Sequence, residues 1–198
     1  MARFNIPPVW WIPLVVAVLS TVMQAMGWDT LLRYSREGLQ QGEWWLLITG
    51  NLVHLGWNHL ILNLAGLVMV WWFYDDEFSL LEWLWIFVIS GLFVTVGLYF
   101  LDPQLIWYVG LSGLLHGLFI AGGIRLLGRD TRFAVLLLLL FAAKLTWEQL
   151  FGSLPGTTDM AGGPVVVNAH LYGAIGGAVA DLLLLARERL AMALHTSS

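Results

Sequence analysis

The distribution of charge constrains this chain more than any other feature. No Asp, Glu, Lys or Arg occurs from residue 4 to 28 or from 44 to 74. A bilayer core requires about 20 apolar residues per crossing helix, so each of these stretches is long enough to span one. The mean hydropathy of +0.79 is far too apolar for an ordinary soluble domain. A transmembrane barrel would instead show short segments of alternating hydrophobicity, and none is visible. The chain is therefore expected to be an all-α membrane protein, one bundle over residues 1–198 with no internal repeat. The first apolar stretch is too long for a cleavable signal peptide and is followed by more of its kind, so it reads as a retained helix. With no cysteine there is no disulfide, thiolate metal site or cysteine nucleophile. The net charge of −4 is scattered, and no basic stripe points to nucleic acid.

The pattern predicts six spans, at about Pro8–Trp28, Leu47–Tyr74, Leu81–Leu101, Gly110–Leu127, Phe133–Phe151 and Val165–Ala186. Asp29–Glu43 reads as a surface loop, Arg129–Arg132 as a tight turn and Gly152–Pro164, rich in Gly and Pro, as a flexible loop. A short polar tail follows the last span. Trp10, Trp11, Trp28, Trp44, Trp45, Trp83, Trp85 and Trp107 fall near predicted span ends, where indoles anchor at the interface. Six spans put both termini on one side. Arg3, Arg125, Arg129, Arg132, Arg187 and Arg189 gather there, against Arg33 and Arg36 opposite. The positive-inside rule makes the terminal side cytoplasmic. Ser112 and His170 then lie at similar depth, toward the outer face.

Those two residues carry the chemistry. A hydroxyl and an imidazole inside lipid are costly without partners, and a serine bonded to a histidine is a nucleophile with its base. Span 2 carries Asn51, His54, Asn58, His59 and Asn63. His59 and Asn63 are four apart and share a helix face. Two donors there can meet one oxygen, as acyl transfer requires, and the Ser112 amide near a helix N-terminus supplies a third. No carboxylate has an evident place behind His170, because Asp159 sits in a loop and Asp181 about three turns below. The expectation is a dyad. Gly113 and Gly117 on span 4, and Gly173 and Gly177 on span 6, have the spacing that lets helix backbones touch. Close contact of these two spans is what a bond between Ser112 and His170 requires.

The combination resembles the rhomboid intramembrane serine proteases. Their hallmarks appear here as Gly110-Leu111-Ser112-Gly113, His59-Leu60-Ile61-Leu62-Asn63 and Ala169-His170-Leu171-Tyr172-Gly173, with His54 matching a recurrent family histidine. The resemblance covers all six spans in order. It implies a six-helix rhomboid-like bundle that hydrolyses a peptide bond in or beside a substrate's transmembrane segment, without metal or cofactor. Ser112 and His170 would be catalytic and His59 and Asn63 would bind the oxyanion. Gly110, Gly113, His54 and His116 would support them. Within the family the chain is most similar to the rhombosortase branch, which tends to read Gly-x-Ser-Gly-x-x-His-Gly as Ser112–Gly117 does. That implies tail-anchored substrates bearing a C-terminal Gly-Gly sorting tail, with the acyl group passing to water or a membrane acceptor. It also points to a bacterial inner membrane, with the site opening to the periplasm. Two departures from many relatives stand out. Trp45 is followed by Leu46 where an arginine is common, and His116 replaces a tyrosine. His116, one turn after Ser112, is read as packing support for the base.

Blander readings stand beside these. Ser112 alone would bond a carbonyl of its own helix, as many membrane serines do. His54 is expected to bond a loop or neighbouring span, and Asn51 and Asn58 to satisfy loop backbone. Lys144 and Glu148, four apart, are expected to form an ion pair near the outer interface. His195 is expected to be solvated. The main rival is a histidine-ligated metal or haem protein built on His54, His59, His116 and His170. Against it, no His-Glu-x-x-His or nearby carboxylate appears, and residues 54 and 59 on one helix would point about 140° apart. A non-catalytic rhomboid-like binder of transmembrane helices is countered by the intact Ser112 and His170, and a transporter by the lack of repeats.

Overall fold

The computed structural model describes residues 8–196, so Arg3 and its contribution to orientation lie outside the described residues. After a 3-10 turn at Pro8–Trp10, the elements are α1 (Trp11–Ala25), α2 (Asp29–Leu32), β1 (Tyr34–Ser35), α3 (Arg36–Gln40) and α4 (Leu46–Thr49). They continue with α5 (Trp57–Tyr74), α6 (Leu80–Leu101), β2 (Trp107–Tyr108), α7 (Ser112–Leu126), α8 (Thr131–Phe151), α9 (Thr157–Ala161) and α10 (Val167–Thr196). Three of these are long and apolar enough to cross a membrane: Leu80–Leu101, Thr131–Phe151 and Val167–His195. Trp11–Ala25 and Ser112–Leu126 are shorter apolar helices.

Helix starts follow local chemistry. Ser79 and Glu82 form a reciprocal capping box at α6. The Asp130 carboxylate accepts from the Phe133 amide to open α8. At the turn before α8, Arg129 reaches the carboxylates of Asp76 and Glu77. Its guanidinium holds the Asp76 carboxyl below the usual carboxylate range. That pair is exposed, so its share in stability is small.

Helix α7 is the centre of the bundle. It is buried along nearly its whole length, with α10 and α6 on one side and α5 and α8 on others. The contact with α10 is main chain on main chain. A β-carbon at Gly113 would sit 2.7 Å from the Ala169 carbonyl oxygen. One at Gly173 would overlap the Gly113 carbonyl, and one at Gly177 the Gly117 carbonyl. The two glycine pairs thus form the seam expected from their spacing. Behind it, Trp71 and Trp83 stack with centroids 4.4 Å apart in the main apolar core. Trp83 is fully buried, which corrects its reading as an interface anchor. Its ring fills the space between α5 and α6 instead of reaching a surface. Helix α8 is the outlier, with only Ala134 and Glu148 buried among its residues.

Several predicted boundaries change. Span 2 is not one helix, because α4 ends at Thr49 and α5 begins at Trp57. Between them the polar groups bond elsewhere. Gly50 accepts from the Gly110 amide at 3.1 Å, and the Asn51 amide group reaches the carbonyls of Leu47 and Gly91. Asn51 therefore satisfies carbonyls of helices α4 and α6 and not the loop backbone expected of it, whereas Asn58 is exposed on α5. The last helix runs ten residues beyond the expected Ala186, taking in Arg187, Arg189 and an exposed His195. Arg125 is more than an orientation signal, because it pairs with the buried Asp181 at 2.9 Å and with Glu188 at 2.7 Å. Pairing is what permits a carboxylate to be buried there.

The Asp29–Glu43 segment folds as two short helices around β1, which pairs antiparallel with β2 (Tyr34 opposite Tyr108, Ser35 opposite Trp107). Arg36 fastens it. The guanidinium donates to the carbonyls of Leu98, Asp102 and Leu105 at 2.9–3.2 Å and lies over the Tyr99 ring. Carbonyls at a helix C-terminus have no intrahelical partner, and a cation there is favourable. Replacing Arg36 by methionine should cost about 2 kcal/mol, from the lost charge-assisted bonds and the stranded carbonyls. A thermal melt of the detergent-solubilised protein would measure it, and Arg36→Lys should recover only part.

Candidate active site

Ser112 is the first residue of α7. The loop before it is pinned from three sides. Gly110 has φ +125°, donates its amide to Gly50, and receives the Tyr108 hydroxyl on its carbonyl at 2.6 Å. The positive φ favours glycine. A β-carbon there would also meet the His59 ring at 2.7 Å. As the opening residue of a helix, Ser112 has an amide with no intrahelical acceptor.

His170 lies in the second turn of α10, directly across the glycine seam. Its Nε2 is 2.9 Å from the Ser112 Oγ. The serine is half-buried and the histidine buried. The two residues singled out from distant parts of the sequence meet as a hydrogen-bonded pair.

His59 and Asn63 line the same cavity of about 270 Å³, together with Ser112, His116 and His170. The Leu55 amide faces the His59 Nδ1 at 3.4 Å, which leaves the proton on Nε2. One N–H of the Asn63 amide group bonds the His59 carbonyl at 3.1 Å, and the other is left for a ligand. A second cavity of about 300 Å³ adjoins the first through Ser112 and His59. It runs between Leu55, Gln104–Val109 and the Ala161–Val166 segment. The Gly152–Pro164 stretch is not all loop, since α9 packs over α5 and contributes to the cavity wall.

His116 stacks on His170 with centroids 4.2 Å apart and planes at 15°. This is the packing expected of it. His54 differs from expectation. It lies in the turn before α5, not on the helix, and its ring meets His59 edge-on at 5.0 Å. The 140° divergence argued for one continuous helix therefore does not arise. Both its nitrogens are buried without a well-formed hydrogen bond, and the Leu52 backbone makes only a loose approach.

The largest correction concerns α8. Lys144 and Glu148 do form an ion pair, at 2.7 Å. It is not a surface pair. The Glu148 side chain is 2 % exposed, and its Oε2 accepts from His170 Nδ1 at 2.9 Å. A carboxylate thus stands where the sequence reading found none. His116, Glu148 and His170 offer two ring nitrogens and a carboxylate oxygen within 4.8 Å of one another, so the argument against metal from a missing carboxylate falls too. A sequence signal was available. A lysine and a glutamate in an apolar span are costly against lipid and belong on the face turned to the protein. The same logic had already placed His59 and Asn63 inward.

The sequence also matches known proteins. The Rhomboid domain family matches residues 41–187. A Bacillus subtilis (strain 168) protein named "Putative rhomboid protease YdcA" is 26 % identical over 166 residues, covering 81 % of this chain and 76 % of that protein. Residues 41–187 include Ser112 and the three histidines that line its cavity, His59, His116 and His170, and the chain belongs to the rhomboid family.

Proposed function

We propose that the chain is an intramembrane serine protease working through an acyl-enzyme. The observation that carries this reading is the 2.9 Å contact between Ser112 Oγ and His170 Nε2 in the cavity that His59 and Asn63 also line. His170 Nε2 takes the Ser112 proton as Oγ bonds to the scissile carbonyl carbon. Negative charge gathers on the carbonyl oxygen, and the donors for it are His59 Nε2–H, the free Asn63 N–H and the Ser112 amide. The carbon–nitrogen bond then breaks, and His170 returns its proton to the leaving amine. A second nucleophile, water or an amine, loses a proton to His170 and releases the acyl group by the reverse sequence.

In this reading the chain crosses a bacterial inner membrane six times, with its termini cytoplasmic and the cavity facing the periplasm. The substrates are transmembrane or tail-anchored proteins. The Ser112–Gly117 pattern supports the rhombosortase branch, whose substrates carry a Gly-Gly sorting tail. No metal or nucleic acid takes part, and lipid is the surrounding solvent.

A fluorophosphonate probe is expected to label the purified wild type and to give only background on Ser112→Ala. Equal labelling of the two would reject the nucleophile. Co-expression with a Gly-Gly tail-anchored protein, scored by mass spectrometry for tail removal, tests the branch. An uncut tail beside an active probe signal would remove the rhombosortase assignment alone.

A further inference from the structure

We propose that Glu148 and Lys144 complete the site as a charge-compensated pair. Glu148 holds His170 in the tautomer able to accept the serine proton, and Lys144 fixes which oxygen of Glu148 and which nitrogen of His116 point where. The proposal rests on the serine-protease reading and deepens it. Both are positioning residues, since neither touches the reacting atoms.

The bonding pattern leaves one consistent proton arrangement. A carboxylate only accepts, so the 2.9 Å contact from Glu148 Oε2 puts a proton on His170 Nδ1. His170 Nε2 then carries its lone pair toward Ser112 Oγ. The Ser112 carbonyl also only accepts, so its 2.7 Å contact puts a proton on His116 Nδ1. The lone pair of His116 Nε2 then faces the Lys144 ammonium at 2.9 Å. The other oxygen of Glu148, Oε1, takes Lys144 at 2.7 Å. Each of these five contacts has a donor facing an acceptor, and both stacked imidazoles are neutral; the 3.5 Å approach of Lys144 Nζ to His170 Nδ1 brings two donors together and is not a hydrogen bond in this arrangement.

This arrangement matters when His170 gains a proton. The groups facing it are Ser112 and His116 from α7, Lys144 and Glu148 from α8, and His59 from α5. Glu148 opposes the new charge directly. His116 stays neutral beneath the imidazolium, because its free nitrogen is already taken by an ammonium donor. The same geometry explains the apparent metal-ligand set. Lys144 Nζ lies 2.9 Å from His116, 2.7 Å from Glu148 and 3.5 Å from His170. The ammonium is the cation that these groups surround.

The test is steady-state hydrolysis by the full-length protein in detergent. In Glu148→Gln, the amide must offer its oxygen to Lys144, because its NH₂ group cannot face an ammonium. The NH₂ then meets His170 Nδ1 and drives the proton to Nε2, where it blocks the base. We expect kcat to fall by about 10²- to 10⁴-fold with KM little changed, as expected for a wrong tautomer. Adding Lys144→Met frees the amide to turn, so the double variant should recover at least about tenfold over Glu148→Gln. A purely structural role predicts that the double variant is no better. Glu148→Gln within a factor of two of wild type, or no recovery in the double variant, overturns the proposal. Nitrogen-15 NMR of histidine-labelled wild type gives a reading that does not depend on variants folding. Protonated Nδ1 at both His116 and His170 is expected, and an Nε2–H tautomer at His170 overturns it. Loss of probe labelling in Ser112→Ala with an unaffected Glu148→Gln would leave the protease reading standing and remove only this one.

Discussion

His170→Ala is expected to lower peptide-bond hydrolysis by about 10⁵- to 10⁶-fold, close to the loss from removing the nucleophile itself, because groups that act as a unit fail together. The imidazole Nε2 lies 2.9 Å from the serine hydroxyl, within reach of its proton. Its removal leaves Oγ with its proton and leaves the buried Glu148 facing an empty space with Lys144 as its remaining partner. The residual rate should reflect the oxyanion donors and binding alone. Initial rates on a transmembrane substrate would measure the loss. An activity within tenfold of wild type would mean that another group removes the proton, and the assignment of the base would fail. His116→Ala serves as the contrast. It removes a stacking partner without removing an acceptor for the serine, so its loss should be far smaller.

Gly173→Val is expected to prevent the bundle from closing. Its β-carbon would overlap the Gly113 carbonyl, and Val94 packs against the same position. Flexible side chains can give way, but a helix backbone cannot, so the two helices must separate. The cost exceeds the 1–3 kcal/mol usual for overpacking and should be at least about 3 kcal/mol. The expected result is protein that elutes as aggregate in detergent and loses its resistance to trypsin. Gly56→Ala is the control. Its φ of 174° is extended backbone, and nothing lies within 4 Å of an added β-carbon. A well-folded, active Gly173→Val protein would contradict the backbone contact.

Much of the site was legible because lipid makes polar groups informative. Ser112, His170, His59 and Asn63 stand out in apolar stretches, and the cost of leaving them unpaired directs them toward one another. The glycine spacing added the helix pair that brings them together. What escaped the sequence was decided by partners far along the chain. The break at residues 50–56 depends on bonds from Gly110 and to Gly91, and nothing in the local pattern announces them. The β1–β2 pairing is two residues on each side, too short for any periodicity to register. Trp83 sits near a span end like its neighbours, and only tertiary packing sends it inward. Glu148 was visible as half of an ion pair with Lys144. The pair appeared complete in itself, so the carboxylate's second oxygen was left unassigned.

The backbone seam between α7 and α10 has a consequence for how the molecule ages under heat. The hydroxyl and the imidazole each sit next to a residue whose main chain is pressed against the opposite helix, Gly113 on one side and Ala169 on the other. Their separation is therefore set by stiff peptide planes and not by the looser shell of leucines and phenylalanines around them. Warming can loosen that shell without widening the gap, so the working geometry should persist almost unchanged until the two helices come apart in a single event.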